Sequence, residues 1–353
     1  MKQNRPPPEF IEKVRKMLQE KEQKKRDFIE KFGHINPPNV IKTANNKAMS
    51  VIEGGIYIQT REESYNFANV IHDHALIFFG DDFIDQEELK PLEQRHPAIQ
   101  WLDIAIAAEE AGNKPKMLGV EAAWYRLAND LFTIRDNAKL EKLIKTRLLN
   151  PLSFQGARHE LRVAAVCIAA GFTLEFEDET DVTRSHPEFV AVDKFSSAKI
   201  IVEAKSRHRK GVLGFEEGGE EEAGRRVKIR NLVVKAYKKQ TDLPLYVFVD
   251  VNLPPYENEQ QFKDWLSEID ETMAHLDADG FADPCPANAL FFVNDPSHFI
   301  PDRSLDPDLD KLWIYHVTAY LPKVAHPSDD IVTRLVKAFT QRISSPEEID
   351  FQY

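Results

Sequence analysis

Glu203 and Lys205 stand two positions apart at the end of an apolar run, Ile200-Ile201-Val202, and Glu188 opens a second run, Phe189-Val190-Ala191-Val192. In a strand, side chains two positions apart share a face. Ile200, Val202 and Ala204 therefore point one way, and Ile201, Glu203 and Lys205 the other. The short link Asp-Lys-Phe-Ser-Ser-Ala between the runs suits antiparallel neighbours, which can bring the two carboxylates together. Two carboxylates with room for water suit a hard cation such as Mg²⁺, which prefers oxygen ligands and keeps several waters. An ammonium beside them can stabilise charge on a phosphoryl group or lower the pKa of an attacking water.

The elements that must position these residues are legible as a change of texture along the chain. From residue 1 to about 150 the pattern reads as helical, with apolar residues at helical spacing in "EESYNFANVIHDHALIFFGDD", "HPAIQWLDIAIAAEEAG" and "GVEAAWYRLANDLFTIRDNAKLEKLIKTRLLN". One more helix, from about Ser153 to a stop at Gly171, carries Glu160. Strand-like segments follow: "FTLEFED", "PEFVAVD", "AKIIVEAK", "LPLYVFVDV", "NALFFVND" and "KLWIYHVT", with the helix "GRRVKIRNLVVKAYKKQ" between the third and fourth and "NEQQFKDWLSEIDETMAHL" later. This order predicts an α/β fold with a mixed sheet. The boundary falls near Pro151, giving an α-helical N-terminal region, 1–150, and an α/β domain, 151–353.

The chain has 353 residues, 42% of them hydrophobic, enough to bury a sizeable core. No apolar run approaches the roughly 20 residues of a membrane span, and the charged N-terminus has no apolar stretch of a secretory signal. Two cysteines, Cys167 and Cys285, supply neither a disulfide framework nor a zinc spacing, so a reducing cytoplasm is expected. The net charge of −12 argues against a globally basic nucleic-acid binder. That charge is unevenly spread: residues 205–239 hold 11 lysines and arginines against 5 glutamates, whereas residues 250–310 hold 15 acidic residues against 2 basic ones. A basic segment on an acidic chain is compatible with a confined polyanion site.

Pro187-Glu188 followed by Glu203-Ala204-Lys205 resembles the motif of the PD-(D/E)xK nuclease superfamily, whose fold is restriction-endonuclease-like. The likeness spans residues 153 to 252, in an ordered set: helix glutamate, strand, Pro-Glu strand, apolar ExK strand, basic helix, apolar strand. It implies that Glu188 and Glu203 hold Mg²⁺ or Mn²⁺, that Lys205 assists phosphodiester hydrolysis, and that Glu160 joins them as a ligand or orients a water. Position 188 is Glu where the family usually has Asp, which displaces the carboxylate by about a bond length. The resemblance makes Arg207, His208, Arg209 and Lys235 candidates for phosphate contact, and Gln240 matches a Gln found after the ExK strand in some branches of the family.

Plainer readings stand beside these. Glu203 and Lys205 could simply pair at an exposed strand end, although that leaves Glu160 and Glu188 unexplained. The basic helix could be a solvated face. The stretch "GVLGFEEGGEEEAG" reads as a mobile loop and lacks the GK[ST] of a phosphate-binding loop. His72 and His74 lie two apart on a helix, do not face each other, and are not expected to share a metal. The expected function is Mg²⁺-dependent nuclease activity, with DNA as the substrate. The rivals are a catalytically inactive nucleic-acid-binding or assembly subunit on the same fold, and a subunit that contacts a partner, or itself, through the N-terminal helices.

Overall fold

The computed structural model describes residues 67–340, apart from 112–116, 136, 177–187, 209–225, 240–241, 282, 301–302, 307 and 329. It also describes Lys16 and three short strands within 39–57. Those strands are β1 (Asn39–Lys42), β2 (Ala48–Ile52) and β3 (Gly55–Tyr57), paired antiparallel in that order. They depart from the all-helical expectation for residues 1–150. The physical reason lies in stretches such as Asn-Val-Ile-Lys and Ala-Met-Ser-Val-Ile, whose β-branched residues favour extended backbone.

Among the described residues, the N-terminal part continues with five α-helices: α1 (Phe67–Phe79), α2 (Asp81–Glu88), α3 (Pro97–Glu110), α4 (Gly119–Ile134) and α5 (Ala138–Leu148). The stretch read as one long helix from residue 119 breaks between α4 and α5, where the Asn137 side chain accepts from Leu140 N and caps the second helix. Next comes α6 (Pro151–Ala169), started by Pro151 at its first turn and by Asn150, whose side chain accepts from Leu152 N.

The remaining elements form a six-stranded open sheet flanked by helices. Its strands are β4 (Phe172–Glu175), β5 (Phe189–Asp193), β6 (Lys199–Ser206), β7 (Leu245–Asp250), β8 (Ala289–Asn294) and β9 (Trp313–Thr318), in spatial order of number. β4–β5, β5–β6 and β8–β9 pair antiparallel, whereas β6–β7 and β7–β8 pair parallel. Parallel neighbours need a crossover connection, which α7 (Arg230–Tyr237) and α8 (Glu259–Leu276) supply. A last helix, α9 (Asp330–Thr340), buries Ile331, Leu335 and Phe339.

Alternation along the strands divides the core in two. Ile200, Val202 and Ala204 of β6 join Tyr246, Phe248 and Phe291 in a cluster that includes Trp124 of α4, Leu161 of α6 and Phe339 of α9. Ile201, Val247, Val249 and Phe292 point to the other face and pack on Val233 and Ala236 of α7 and Trp265 of α8. The first cluster extends back to Ile71 and Phe78 of α1. Pro151 thus begins a helix without marking a break in the apolar core.

One buried ionic network fixes α6 within this arrangement. Asp295, just past β8, accepts from Arg126 of α4, from Arg162 Nη1 of α6 at 2.8 Å and from Ser297 Oγ at 2.6 Å. Arg162 Nε also donates to Asp130 of α4 at 3.3 Å. Gly119, at the start of α4, is a place where the fold needs a missing side chain: the backbone of Ser297 and Ile300 leaves no room for a Cβ there.

Candidate functional site

The register of β5 on β6 pairs Phe189 with Val202 and Val190 with Ile201. Continued one step past the end of β5, it sets Glu188 opposite Glu203. Residues directly opposite in an antiparallel pair share a face, so both carboxylates emerge on the α7 side of the sheet, at the end of β6. Lys205 Nζ sits between them, donating to Glu188 Oε1 at 3.2 Å and lying 2.5 Å from Glu203 Oε2. Both oxygens are thus within ion-pair reach of one nitrogen.

Glu203 is wholly buried, and its other oxygen lies 3.0 Å from Lys239 Nζ, just past the end of α7. Both oxygens are ion-paired, yet neither receives an N–H in good hydrogen-bond alignment. Burial alone would lower the Lys205 ammonium, but Glu203 and Glu188 outweigh it and hold the group above its usual range.

Glu160 reaches the site from α6. Arg147 of α5 grips it with two bonds, Nη1 to Oε2 at 2.5 Å and Nη2 to Oε1 at 2.6 Å. Burial raises the Glu160 carboxyl to about 7, and the negative charge of Glu188 adds to that; Arg147 and Lys205 oppose it. The fork would ordinarily hold a carboxylate low, but the Arg147 side chain is 45% exposed and solvent screens it. Since the folded value lies above the unfolded one near 4.5, folding takes up a proton. Stability from Glu160 is therefore complete below about pH 4.5 and is lost as pH rises through 7. In chelator-treated protein, urea midpoints measured between pH 4.5 and 8 are expected to fall, with a slope of at most about 1.4 kcal/mol per pH unit from this group. Glu160→Gln is expected to flatten that slope; an unchanged slope would assign it elsewhere.

Of the expected phosphate contacts, Arg207 and His208 continue β6. Arg207 is tied down on both sides: its amide donates to Asp250 O, its carbonyl accepts from Asn252 Nδ2, and its guanidinium donates to Arg226 O at 2.5 Å. Asn252 adopts a left-handed backbone conformation and also donates to Gln155 of α6. His208 lies exposed beside Gly156 of α6. Lys235 is exposed on α7. Arg209, Gln240 and the acidic loop lie outside the described residues. His72 and His74 have separate roles, His72 Nδ1 accepting from Trp124 Nε1 and His74 packing edge-on against Phe132.

Two residues that sequence reasoning did not single out, Lys239 and Arg147, complete the charge pattern. Three carboxylates meet three cations. Among the described residues, no group of three or more His, Cys, Asp or Glu side chains is gathered as a ready metal cage. No helix among them is long and apolar enough to cross a membrane, and Cys167 and Cys285 are free and buried.

The chain matches no protein-family model, no curated protein and no solved structure.

Proposed function

We propose that the protein is a divalent-metal-dependent nuclease that hydrolyses phosphodiester bonds, with DNA as the expected substrate. The observation that carries this reading is Lys205 Nζ standing between Glu188 and Glu203 at one end of two neighbouring strands. The order of elements supports it as well: a helix bearing Glu160, three antiparallel strands, a helix, then a strand parallel to the third. That is the arrangement the PD-(D/E)xK resemblance implies.

The donor set fits a hard cation. Glu188 and Glu203 offer carboxylate oxygens within reach of one point, and those of buried Glu203 lack aligned hydrogen bonds. Glu188 and Glu203 would hold Mg²⁺ or Mn²⁺, with Glu160 adding an oxygen or orienting a water. When bound, the ion supplies Lewis-acid stabilisation of charge on the phosphate. Lys205 holds its proton, directs it at the developing charge and orients the attacking water. Arg147 keeps Glu160 in place, and Arg207 and Lys235 offer phosphate contacts.

One observation favours a second reading. The carboxylates are already matched by protein cations, as they would be in a non-catalytic nucleic-acid-binding or assembly subunit. Incubation of linear and supercoiled DNA, and of RNA, with Mg²⁺, Mn²⁺ or chelator separates the two, with thermal melts in parallel. The nuclease reading expects metal-dependent cleavage and a melt raised by metal, worth about 2.7 kcal/mol at a hundred times Kd. Absence of both would leave the binding subunit as the better account.

A further inference from the structure

We infer that Lys205 stands in for the metal in the metal-free protein, and that metal and polyanion therefore load together. The inference rests on the metal-site reading above and concerns how that site is regulated. Its starting point is the position of one nitrogen: Lys205 Nζ contacts Glu188 and Glu203 at once, in the space that a cation shared by those two carboxylates would need. Mg²⁺ demands ligand oxygens at about 2.0–2.1 Å in an octahedron. A divalent ion therefore enters only when the ammonium withdraws.

Lys239 makes that withdrawal feasible. A fully buried carboxylate stripped of its partner is strongly disfavoured. Glu203 keeps Lys239 on its other oxygen when Lys205 leaves, and the two lysines come from different elements, β6 and the segment after α7. The displaced ammonium needs a new anion in turn. A backbone phosphate of the substrate, laid across the end of β6, supplies one. Lys205 then passes from holding the carboxylates to holding the phosphate. Binding linkage is reciprocal, so substrate tightens metal binding and metal tightens substrate binding by the same factor.

The test is Mn²⁺ binding, followed by the electron paramagnetic resonance of free Mn²⁺, with and without a phosphorothioate DNA duplex that resists cleavage. Wild-type protein is expected to bind Mn²⁺ weakly alone and more tightly with DNA, by about 5–150-fold, the usual range of coupling between sites. Lys205→Met, which keeps the apolar stem and removes the competing charge, is expected to bind Mn²⁺ at least about fivefold more tightly than wild type without DNA, and to lose about as much of the DNA effect. Lys205→Gln serves as a second variant, with circular dichroism and melts confirming the fold. If metal binds but neither variant is tighter than wild type, or the DNA effect is undiminished, the stand-in role is wrong and the nuclease reading survives. If wild type and variants bind no Mn²⁺ with or without DNA, the metal-site reading falls and takes this inference with it.

Discussion

Lys205→Ala is expected to lower metal-dependent cleavage by about 10²–10³, the usual cost of removing one preorganised electrostatic group from a reaction centre. The loss should appear in kcat, while metal binding is not weakened and, without DNA, tightens as for Lys205→Met. Glu188 and Glu203 both remain, and Glu203 keeps Lys239 at 3.0 Å. The fold should survive for the same reason, because the buried carboxylate is not left alone. Glu203→Gln is the complementary variant. It nearly preserves shape but removes the buried charge on which both lysines converge, so metal binding and cleavage should fall together. Cleavage rates at saturating Mg²⁺, with circular dichroism for both variants, decide the matter. A Lys205→Ala protein that cleaves within about tenfold of wild type would remove the lysine from the chemistry.

Much of this site was legible because a strand has a period of two. Ile-Ile-Val-Glu-Ala-Lys places alternate residues on alternate faces whatever surrounds it, and the two apolar clusters divide β6 along that line. The meeting of Glu188 with Glu203 followed from a short link between two apolar runs, which leaves few registers open. Lys239 and Arg147 were not legible in this way. Each lies at or beyond the C-terminal end of a helix, and nothing local distinguishes a lysine folded back onto a buried carboxylate from one left in water. Periodicity alone placed Glu160 on a helix and only the resemblance placed it in the site, while its Arg147 partner depends on how α5 meets α6. The three short strands within 39–57 were not legible because they span only 4, 5 and 3 residues, too few for a period of two to stand out from its surroundings. α9 was not read from the sequence, although Ile331, Leu335 and Phe339 stand at helical spacing.

The ionic network around Asp295 was least legible of all, because its members come from α4, α6 and the end of β8, and it is the part of the fold most exposed to a single substitution. Arg126, Arg158 and Arg162 all approach Asp295 in the interior. Burial would raise the Asp295 carboxyl, but Arg126, Arg162 and Arg158 prevail and hold it well below the usual carboxylate range. Its contribution to stability is therefore present above the unfolded value near 3.8 and is lost only as pH falls through the depressed folded value. Asp295→Ala removes the carboxylate that Arg126 and Arg162 share. It leaves buried guanidinium charge without its counterpart, for which a cost of about 3–5 kcal/mol is expected. Asp295→Asn, which retains an acceptor for Ser297 and the arginines, should cost less. Removing charge from both sides, as in Asp295→Ala with Arg126→Met, should recover part of the loss, because the penalty comes from an unpaired ion rather than from a missing attraction. Urea unfolding followed by circular dichroism measures all three. Since Arg158, Arg162 and Glu160 share α6, loosening this network should also disturb the site, and cleavage by any folded fraction of Asp295→Ala should fall with it. A loss below about 1 kcal/mol would show that solvent reaches these arginines, and that the apolar core alone holds α6 and its glutamate against the sheet.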